Sequence, residues 1–247
     1  MTNDGSDSVP AGSPRVSIII PTYKEAENIR ALIGRIAAAM QACRGGYEVI
    51  IVDDDSRDGT KTVLEELSAA GLPVRLIIRS AQRGLSSAVL RGFDESRGGI
   101  LVCMDADLSH PPETIPELVA ALDDPRVHCC VASRYIQGGG TDLKWGWLRR
   151  LNSWAGRRLA RVFTPISDPM SGFFAIPRRA LDGAAPLRPV GYKMLLEIIV
   201  KCQMRNIREV PIHFAHRMYG RSKLGLRQKW DYIRHVARLV AFRCRGR

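Results

Sequence analysis

Two aspartates, Asp105 and Asp107, stand one residue apart directly after the apolar segment 100–104. This segment predicts a buried strand, and side chains two positions apart on an extended chain point to the same side. Carboxylate oxygens are the ligands that Mg²⁺ and Mn²⁺ prefer, and such ions commonly hold substrate phosphates as well. The alternative is a polar turn in which Asp107 caps a helix that begins at Pro111 and Pro112. The aspartates alone leave both interpretations open.

The elements that must position these aspartates alternate along the first half of the chain. Strands are predicted at 16–20, 49–52, 74–78, 100–104 and 127–132, and helices at 25–40, 59–70, 86–95 and 112–122. Such alternation predicts an α/β fold with a parallel sheet covered by helices on both faces. In the second half, helices are predicted at 147–163, 191–202 and 226–244, a strand at 207–212 and a loop at 218–225.

Polar clusters follow four of the predicted strands, at 21–25, 53–60, 79–85 and 105–107. The carboxyl ends of parallel strands meet at one edge of the sheet, where open α/β proteins bind nucleotides. A carboxylate there can accept hydrogen bonds from ribose hydroxyls, and an aromatic ring such as Tyr23 can stack on a base. Asp53 and Asp58 could instead be caps of turns and helices. Four clusters in succession favour the nucleotide site.

The net charge of +12 indicates an anionic partner. The candidates are nucleic acid, an anionic membrane surface and phosphorylated substrates. Nucleic acid is not expected, because aromatic residues make up only 6% of the chain and no base-reading motif is present. The acidic strand ends would also repel nucleic-acid phosphates in the absence of a metal. The charge therefore favours phosphorylated substrates and a membrane surface.

Composition and length predict one large domain, or one domain with an appendage, in a chain of 247 residues. The six cysteines form no CxxC pair, which predicts buried thiols in a reducing compartment. Residues 1–14 are polar and are predicted to be a disordered lead-in rather than a signal peptide. No apolar stretch reaches the roughly 18 residues of a transmembrane helix. We therefore expect a protein that is soluble or lies on a membrane.

Several motifs resemble those of one enzyme family. Residues 16–25 with 27–29, 52–54 with 58–60, and 105–107 are similar to inverting GT-A glycosyltransferases of family 2. Residues 133–135, 168–173 and 219–225 resemble the polyprenol-phosphate (dolichol-phosphate) mannosyltransferase subgroup. The resemblance covers about 15–226 and implies a GT-A (Rossmann-like) fold, a mostly parallel sheet flanked by helices. It implies a catalytic domain at 15–225, followed by a basic amphipathic helix at 226–247.

The resemblance also implies which residues bind the nucleotide and the metal. Nucleotide-binding positions are Pro21, Tyr23, Glu25, Asp53, Asp105 and Lys223. Asp105 and Asp107 would hold Mg²⁺ or Mn²⁺ on the diphosphate. Ser109 stands where close relatives carry a glutamine that completes the metal shell, so a hydroxyl or a water must serve here as the third ligand.

Basic residues would meet the substrate phosphates. Arg134, Arg149 and Ser153 match acceptor-phosphate positions in the family, and the implied catalytic set is Asp105, Asp107, Arg134 and Arg217. Arginine suits this task because its planar fork binds phosphate oxygens bidentately. The stretch 217–225 is predicted to order over bound nucleotide. Asp168 is the only motif-placed carboxylate that could act as a base for a hydroxyl acceptor, and we assign it a positioning role.

The reaction implied by the resemblance is inverting transfer of mannose from GDP-mannose to a polyprenyl (dolichyl-type) phosphate, giving a β-linked product. A phosphate monoester has a second pKa of about 6, so it is largely a dianion at neutral pH and needs no dedicated base. One alternative uses UDP-glucose or a UDP-amino sugar with undecaprenyl phosphate as the acceptor. Another is a hydroxyl-directed family 2 transferase of cell-surface polysaccharide synthesis.

Aromatic and basic residues of two predicted helices indicate contact with lipid. Trp147, Trp154 and Phe163 lie on the helix at 147–163, and Trp230 lies on the last helix. Such helices fit an interface whose arginines meet lipid headgroups, although the same aromatics could pack on the sheet as core. We expect a peripheral enzyme on the cytoplasmic face of a membrane. Relatives often carry a C-terminal membrane domain, which implies a membrane subunit that is separate or missing.

Overall fold

The computed structural model describes residues 13–81, 83–141, 156, 158–188, 193–215 and 226–245. The first half contains β1 (Val16–Thr22), α1 (Ala26–Met40), β2 (Tyr47–Asp53), α2 (Thr60–Ala69), β3 (Val74–Ile78), α3 (Leu85–Glu95), β4 (Ile100–Cys103), α4 (Ile115–Ala121) and β5 (Cys129–Ser133). The second half contains β6 (Gly140–Thr141), β7 (Phe174–Pro177), α5 (Met194–Lys201), β8 (Ile207–Pro211), β9 (His213–Phe214) and α6 (Leu226–Arg245). Short 3₁₀ turns at Pro112–Thr114 and Arg178–Leu181 precede α4 and follow β7.

These strands form a seven-stranded sheet in the order β3-β2-β1-β4-β7-β5-β8, with β6 and β9 paired separately. β1 pairs in parallel with both β2 and β4, and β2 pairs in parallel with β3. The carboxyl ends of these four strands therefore lie along one edge of the sheet. That edge is where the sequence places its polar clusters.

β1 lies inside the sheet because both of its faces are apolar. Ile18 and Ile20 pack with Ile29 of α1 in one core cluster, whereas Ile19 packs with Phe93 of α3 in the other. Side chains alternate across a strand, and parallel sheets are covered on both faces. A run of isoleucines therefore suits a strand that is covered on both faces. The position of β1 in the sheet puts the loop that follows it at the edge with the polar clusters.

The close packing of α3 on β1 depends on Gly92. A Cβ atom at this position would lie 2.3 Å from Ile19 Cγ2, which is inside van der Waals contact. Because glycine has no side chain, the axis of α3 can approach the strand directly. The approach places the loop before α3 beside the end of β2.

The predicted α/β fold with a mostly parallel sheet is confirmed. Each strand predicted in the first half has a counterpart whose ends differ by at most two residues. The sequence does not predict β7, which runs antiparallel between β4 and β5. It also does not predict the short pair β6 and β9. The predicted helix at 147–163 lies largely outside the described residues, and the predicted loop at 218–225 lies wholly outside them.

The last helix, α6, packs on α5 through one face only. Tyr232 and Leu239 are buried in a cluster with Leu196 of α5, whereas Trp230 and Ile233 are 67% and 50% exposed. The Tyr232 hydroxyl also donates a hydrogen bond to the carbonyl of Gly156 (2.8 Å). Within the part of the chain that the structure describes, no helix is both long and apolar enough to cross a bilayer.

Candidate functional site

A network of hydrogen bonds joins the loops after β1, β2 and β3. The Thr22 hydroxyl at the end of β1 donates to Asp53 Oδ2 (2.9 Å). Asp54 forms a buried ion pair with Arg79, which follows β3, and also accepts from the backbone amide of Gly84 (2.8 Å). The structure thus brings three of the four predicted polar clusters together at one edge of the sheet.

Asp53 is held inside this network and is only 4% exposed. Its Oδ1 accepts from the backbone amide of Ser56 (2.8 Å), and its Oδ2 accepts from Thr22. Beside it lies a cleft of about 150 Å³ that is lined by Asp53, Asp55, Ser56, Arg57, Asp58, Gly59, Thr60, Lys61, Leu76 and Ile78. The hydrogen bonds fix the geometry of the loop that forms this cleft.

Three of the other predicted nucleotide-binding residues, Pro21, Tyr23 and Glu25, lie at or just after the end of β1. Pro21 belongs to the strand itself, and Tyr23 follows it, partly exposed. The guanidinium of Arg83 lies 5.5 Å from the centroid of the Tyr23 ring, within cation–π distance. Glu25 immediately precedes α1, and its carboxylate accepts a hydrogen bond from Asn28 Nδ2 (2.7 Å). Tyr23 thus brings the loop after β1 into contact with Arg83 of the loop after β3.

Asp105 and Asp107 follow β4 in two different environments. The side chain of Asp105 is 32% exposed, whereas Asp107 is buried and its Oδ1 accepts from both the amide (3.1 Å) and the hydroxyl of Ser109. Leu108, which lies between Asp107 and Ser109, has a φ of 58°, and this conformation produces the tight turn. Ser109 is fully buried, and its hydroxyl donates to Asp107. Its predicted role as a third metal ligand stays a prediction.

His110 is a neighbour of this pair that the sequence predictions do not single out. Its Nδ1 accepts a hydrogen bond from the backbone amide of Asp105 (3.2 Å). Its ring lies 5.3 Å from the rings of both Phe173 and Phe214. Burial lowers the pKa of His110, although Asp105 and Asp107 act in the opposite direction. The imidazole is therefore neutral at neutral pH, with its proton on Nε2.

Arg134 and Asp168 form a bidentate ion pair beside the two aspartates. Arg134 Nε lies 2.7 Å from Asp168 Oδ2, and Nη2 lies 2.9 Å from Oδ1. Burial lowers the pKa of Arg134, but the hydrogen bonds and charge of Asp168 raise it above its ordinary value. The guanidinium also lies 5.2 Å from the ring centroids of Tyr135 and Phe214. The fork of Arg134 is therefore held in one orientation.

A buried lysine, Lys193, completes the charged cluster. It immediately precedes α5 and is only 9% exposed. Burial, together with the charge of Arg134, lowers its pKa to about 7, while Asp168 and Asp105 raise it. The sequence does not predict a role for Lys193, because this residue lies outside all of the motifs that resemble the family. His110, by contrast, follows Asp107 in sequence and could have been found from that motif.

Four of the predicted phosphate-binding residues lie outside the described residues. They are Arg149, Ser153, Arg217 and Lys223. Within the described residues, no group of three or more histidine, cysteine or acidic side chains is placed to hold a metal ion. The described site therefore consists of the loop network after β1 to β3 and a charged cluster of Asp105, Asp107, Arg134, Asp168 and Lys193.

The chain is similar to known glycosyltransferases along most of its length. Residues 17–183 match the model of glycosyl transferase family 2. The dolichol-phosphate mannosyltransferase of Pyrococcus furiosus is 43% identical over 230 residues, which is 92% of this chain and 64% of the relative. Enzymes of the same name from Mycosarcoma maydis and Saccharomyces cerevisiae are each 40% identical over 94% and 92% of this chain, and over 81% and 87% of their own lengths. The chain thus spans less than two thirds of the Pyrococcus relative.

Solved structures share the fold. A structure of glucosyl-3-phosphoglycerate synthase from Mycobacterium tuberculosis with Mn²⁺, UDP-glucose and glycerol 3-phosphate matches with a TM-score of 0.65, at 19% identity, over 96% of this chain and 82% of that chain. The same enzyme with UDP alone also gives a TM-score of 0.65. These matches confirm the predicted GT-A fold. The sequence matches establish that the chain is a glycosyltransferase and belongs to family 2, in the group of the dolichol-phosphate mannosyltransferases.

Proposed function

We propose that this protein transfers mannose from GDP-mannose to a polyprenyl (dolichyl-type) phosphate with inversion at the anomeric carbon. The observation that carries the proposal is the identity of 40–43% to three dolichol-phosphate mannosyltransferases over at least 92% of this chain. The charged cluster is consistent with it, because both substrates of this reaction carry phosphate. The product is a β-linked polyprenyl-phosphate mannose.

A divalent metal, Mg²⁺ or Mn²⁺, fits the donors at the end of β4. Asp105 is partly exposed, and Asp107 is oriented by two hydrogen bonds from Ser109. An ion held by one or two carboxylates keeps positions for phosphate oxygens and water, which is how Mg²⁺ is usually bound. When bound, such an ion neutralises charge on the departing nucleoside diphosphate. The related fold of glucosyl-3-phosphoglycerate synthase, solved with Mn²⁺, supports the class of ion.

The acceptor needs no general base from the protein. A lipid phosphate monoester is largely dianionic at neutral pH, so one of its oxygens can attack the anomeric carbon directly. Asp168 is engaged by two donors of Arg134, which fits a positioning residue better than a base. The chain therefore has to bind and orient two phosphate-bearing substrates and to compensate their charge.

The nucleoside of the donor is proposed to bind at the loops after β1 and β2. Pro21, Tyr23, Glu25 and Asp53 are the proposed contacts, and the Tyr23 ring offers a face for stacking. Lys223 is proposed as a further nucleotide contact and Arg217 as a catalytic one. Arg149 and Ser153, with Arg134, are proposed to bind the acceptor phosphate. For the four of these residues outside the described ranges, the support is the family resemblance alone.

A lipid acceptor requires access to a membrane surface, and α6 offers a suitable face. Trp230, Ile233 and Val240 share one side of the helix and are all at least 41% exposed. Arginines flank them on the same helix, including Arg234 and Arg238. Aromatic and aliphatic side chains with cations beside them are typical of interfacial helices on anionic lipid. This helix face supports our proposal of a peripheral enzyme, with a catalytic domain at 15–225 and a basic amphipathic helix at 226–247. We also propose the cytoplasmic face of a membrane as its location.

The test is sugar transfer to a short-chain polyprenyl phosphate, measured with GDP-mannose, UDP-glucose and a UDP-amino sugar, each with and without Mg²⁺ or Mn²⁺. We expect metal-dependent transfer from GDP-mannose and a β-linked product. Asp105→Asn serves as the inactive control, and EDTA should abolish the activity of the wild type. Turnover of UDP-glucose without turnover of GDP-mannose would overturn the donor, and transfer in the absence of any lipid phosphate would overturn the acceptor.

A further inference from the structure

His110 lies beside the proposed metal ligand Asp105 and contacts its main chain. The imidazole is only 3% exposed, and its Nδ1 accepts a hydrogen bond from the backbone amide of Asp105 (3.2 Å). The same nitrogen lies 3.9 Å from Asp105 Oδ2, which is too long for a hydrogen bond. His110 therefore contacts Asp105 through the main chain and not through the carboxylate that would hold the metal.

The amide of Asp105 needs this acceptor because it lies beyond the pairing of β4 with β1. Met104, the residue before it, still donates its amide to the carbonyl of Ile19 in β1 (3.2 Å), whereas β4 itself ends at Cys103. A backbone amide that is withdrawn from water destabilises the fold unless it finds a new acceptor. His110 supplies that acceptor at the point where the chain leaves the sheet and turns toward the site.

The imidazole ring is held between two aromatic rings. Its centroid lies 5.3 Å from that of Phe173, which is fully buried before β7, and 5.3 Å from that of Phe214 on β9. Tilted and edge-on contacts at this separation are favourable and depend on ring orientation. The packing therefore fixes the plane of the imidazole, and the hydrogen bond to Asp105 selects the edge that carries Nδ1.

Gly172 brings the segment before β7 against both Asp105 and His110. A Cβ atom at position 172 would lie 3.3 and 3.4 Å from the two carboxylate oxygens of Asp105, and 3.4 Å from Cε1 of His110. On the other side of the turn, the carbonyl of Ser109 accepts from the amide of Ala215 (3.1 Å). In a region packed this closely, a shift of the imidazole would move the main chain that carries the Asp105 carboxylate.

We propose that His110 is a positioning residue of the metal site, which fixes the direction in which Asp105 presents its carboxylate to the divalent ion. The inference rests on the proposed function for the metal itself, but it concerns a residue to which that function assigns no role. In this role His110 acts through the amide of Asp105 and touches neither the ion nor the substrates. Residues that orient a metal ligand typically contribute about 10–100-fold to metal affinity or activity.

The experiment measures the affinity for Mn²⁺ by calorimetry in the presence of saturating GDP, and it compares His110→Leu with His110→Asn. Leucine and asparagine have similar shapes, but only asparagine offers an oxygen that can accept from the Asp105 amide. We expect the affinity for Mn²⁺ to fall by about tenfold or more in His110→Leu and to stay within about threefold of the wild type in His110→Asn.

The matched control is His128→Leu. Nδ1 of His128 also accepts from a backbone amide, that of Arg205, at the same distance of 3.2 Å. His128 is exposed, however, and it precedes β5 at the opposite end of that strand from Arg134. This variant removes the same kind of hydrogen bond away from the site, so its affinity for Mn²⁺ should equal that of the wild type. Equal weakening by the two leucine variants would overturn the proposal.

A purely structural role of His110 gives a different result. His110→Leu would then lower the thermal midpoint of the metal-free protein and leave the affinity for Mn²⁺ unchanged, which overturns the proposal. Action through Asp105 is tested in the double variant with Asp105→Asn. It should bind Mn²⁺ no more weakly than Asp105→Asn alone, because the carboxylate that His110 positions is already absent. A further loss in the double variant would contradict this route.

If His110→Leu does not fold, His110→Asn decides, because a folded asparagine variant that binds Mn²⁺ about tenfold more weakly than the wild type overturns the proposal. Failure of the proposed function is recognised separately, since the wild type would then transfer no mannose to polyprenyl phosphate. The Mn²⁺ titration, with GDP or with UDP in its place, would still compare His110→Leu with the wild type. A wild type that binds no Mn²⁺ with either nucleotide overturns the metal site and this inference together.

Discussion

Asp168 holds the guanidinium of Arg134 through two parallel hydrogen bonds of 2.7 and 2.9 Å. Asp168 is fully buried, and its backbone amide donates to Glu209 on β8 (3.2 Å). The pair therefore links the end of β5 to the segment before β7 and to the edge strand. An arginine fixed in this way presents its remaining surface in a single orientation, which a phosphate-binding site requires.

We predict that Asp168→Asn destabilises the protein and lowers its activity. The substitution leaves the buried cation of Arg134 without its counter-charge, and loss of one partner of a buried pair costs about 3 kcal/mol. Urea denaturation should show this decrease in the free energy of unfolding. If Asp168 acts by positioning, kcat/KM for the polyprenyl phosphate should also fall by about tenfold or more, because a misplaced contact slows the reaction.

The matched control is Glu113→Gln. Glu113 accepts two hydrogen bonds of 2.8 Å from Arg35, so its pairing is also bidentate, but both side chains are at least 40% exposed. Exposed pairs contribute at most about 1 kcal/mol, so this variant should be close to the wild type in stability and activity. Equal destabilisation by the two substitutions would show that burial does not set the importance of the Asp168 pair.

We predict that Asp105→Asn and Asp107→Asn each abolish metal-dependent transfer. An amide is a weaker ligand than a carboxylate for a hard divalent ion, and the loss of charge also weakens binding of that ion. Activity should fall at least a hundredfold, and Mn²⁺ titrated in the presence of GDP should bind more weakly. Asp94→Asn, an exposed carboxylate of α3, is the control and should leave both measurements unchanged. Wild-type metal dependence in either variant would remove the pair from the metal site.

Ser109→Ala tests how Asp107 is held. The Ser109 hydroxyl and amide both donate to Asp107 Oδ1, and the substitution removes only the hydroxyl. Hydrogen bonds that orient a metal ligand typically contribute 10–100-fold to metal affinity or activity, so we expect a loss of about tenfold. Ser68→Ala, which changes an exposed serine of α2, is the control. A loss as large as that of Asp107→Asn would instead indicate that Ser109 is itself a ligand.

The fold was predictable because its strands are long apolar runs separated by turn residues. Ile18, Ile19 and Ile20 specify a strand that is buried on both faces, and the loops after such strands converge by topology. β7 was not predictable in the same way. It has four residues, is buried on both faces and therefore has no alternating pattern, and its antiparallel direction is set by β4 and β5.

The site was predictable where motifs are local and not where tertiary packing assembles it. Asp105 and Asp107 lie one residue apart directly after a buried strand, so the sequence alone puts both carboxylates at one end of the sheet. Lys193 is buried immediately before α5, and the charges of Arg134, Asp168 and Asp105 act on its pKa although all three are distant in sequence. The orientation of Arg134 by Asp168 likewise joins residues 34 positions apart.

We predict that the exposed face of α6 binds anionic lipid. Trp230→Ser combined with Ile233→Ser removes apolar side chains that are 67% and 50% exposed. Burial of such a side chain in an apolar phase contributes about 1.5–3 kcal/mol, so affinity for vesicles of phosphatidylglycerol and phosphatidylcholine should fall at least tenfold. Sedimentation with vesicles measures the change. Ile78→Ser, an equally exposed residue of β3, is the control and should bind as the wild type does.

Transfer to a water-soluble, short-chain polyprenyl phosphate should survive the α6 substitutions, because they lie outside the charged cluster. Transfer to a long-chain acceptor in vesicles should fall with vesicle affinity. Unchanged vesicle binding in the α6 double variant would contradict a lipid-facing role for this face of the helix.

We predict that the free energy of unfolding depends on pH because of a buried histidine where α6 packs on α5. His235 is 2% exposed, and its Nδ1 lies 3.8 Å from Glu197 Oε2. Burial lowers its pKa, with Arg238 and Lys201 acting in the same direction and Glu197 opposing them. The unfolded chain, with a histidine pKa of about 6.5, therefore takes up this proton at a higher pH than the folded protein does.

It follows from the sign of this shift that stability falls as the pH decreases below about 7. The slope is at most about 1.4 kcal/mol per pH unit for each such histidine, and His110, whose pKa is also lowered by burial, contributes in the same direction. Urea denaturation between pH 5 and 8 should show a smaller slope in His235→Gln, which cannot be protonated, than in the wild type. If His235→Gln keeps the full slope, protonation of His235 is not the cause of the loss of stability in acid.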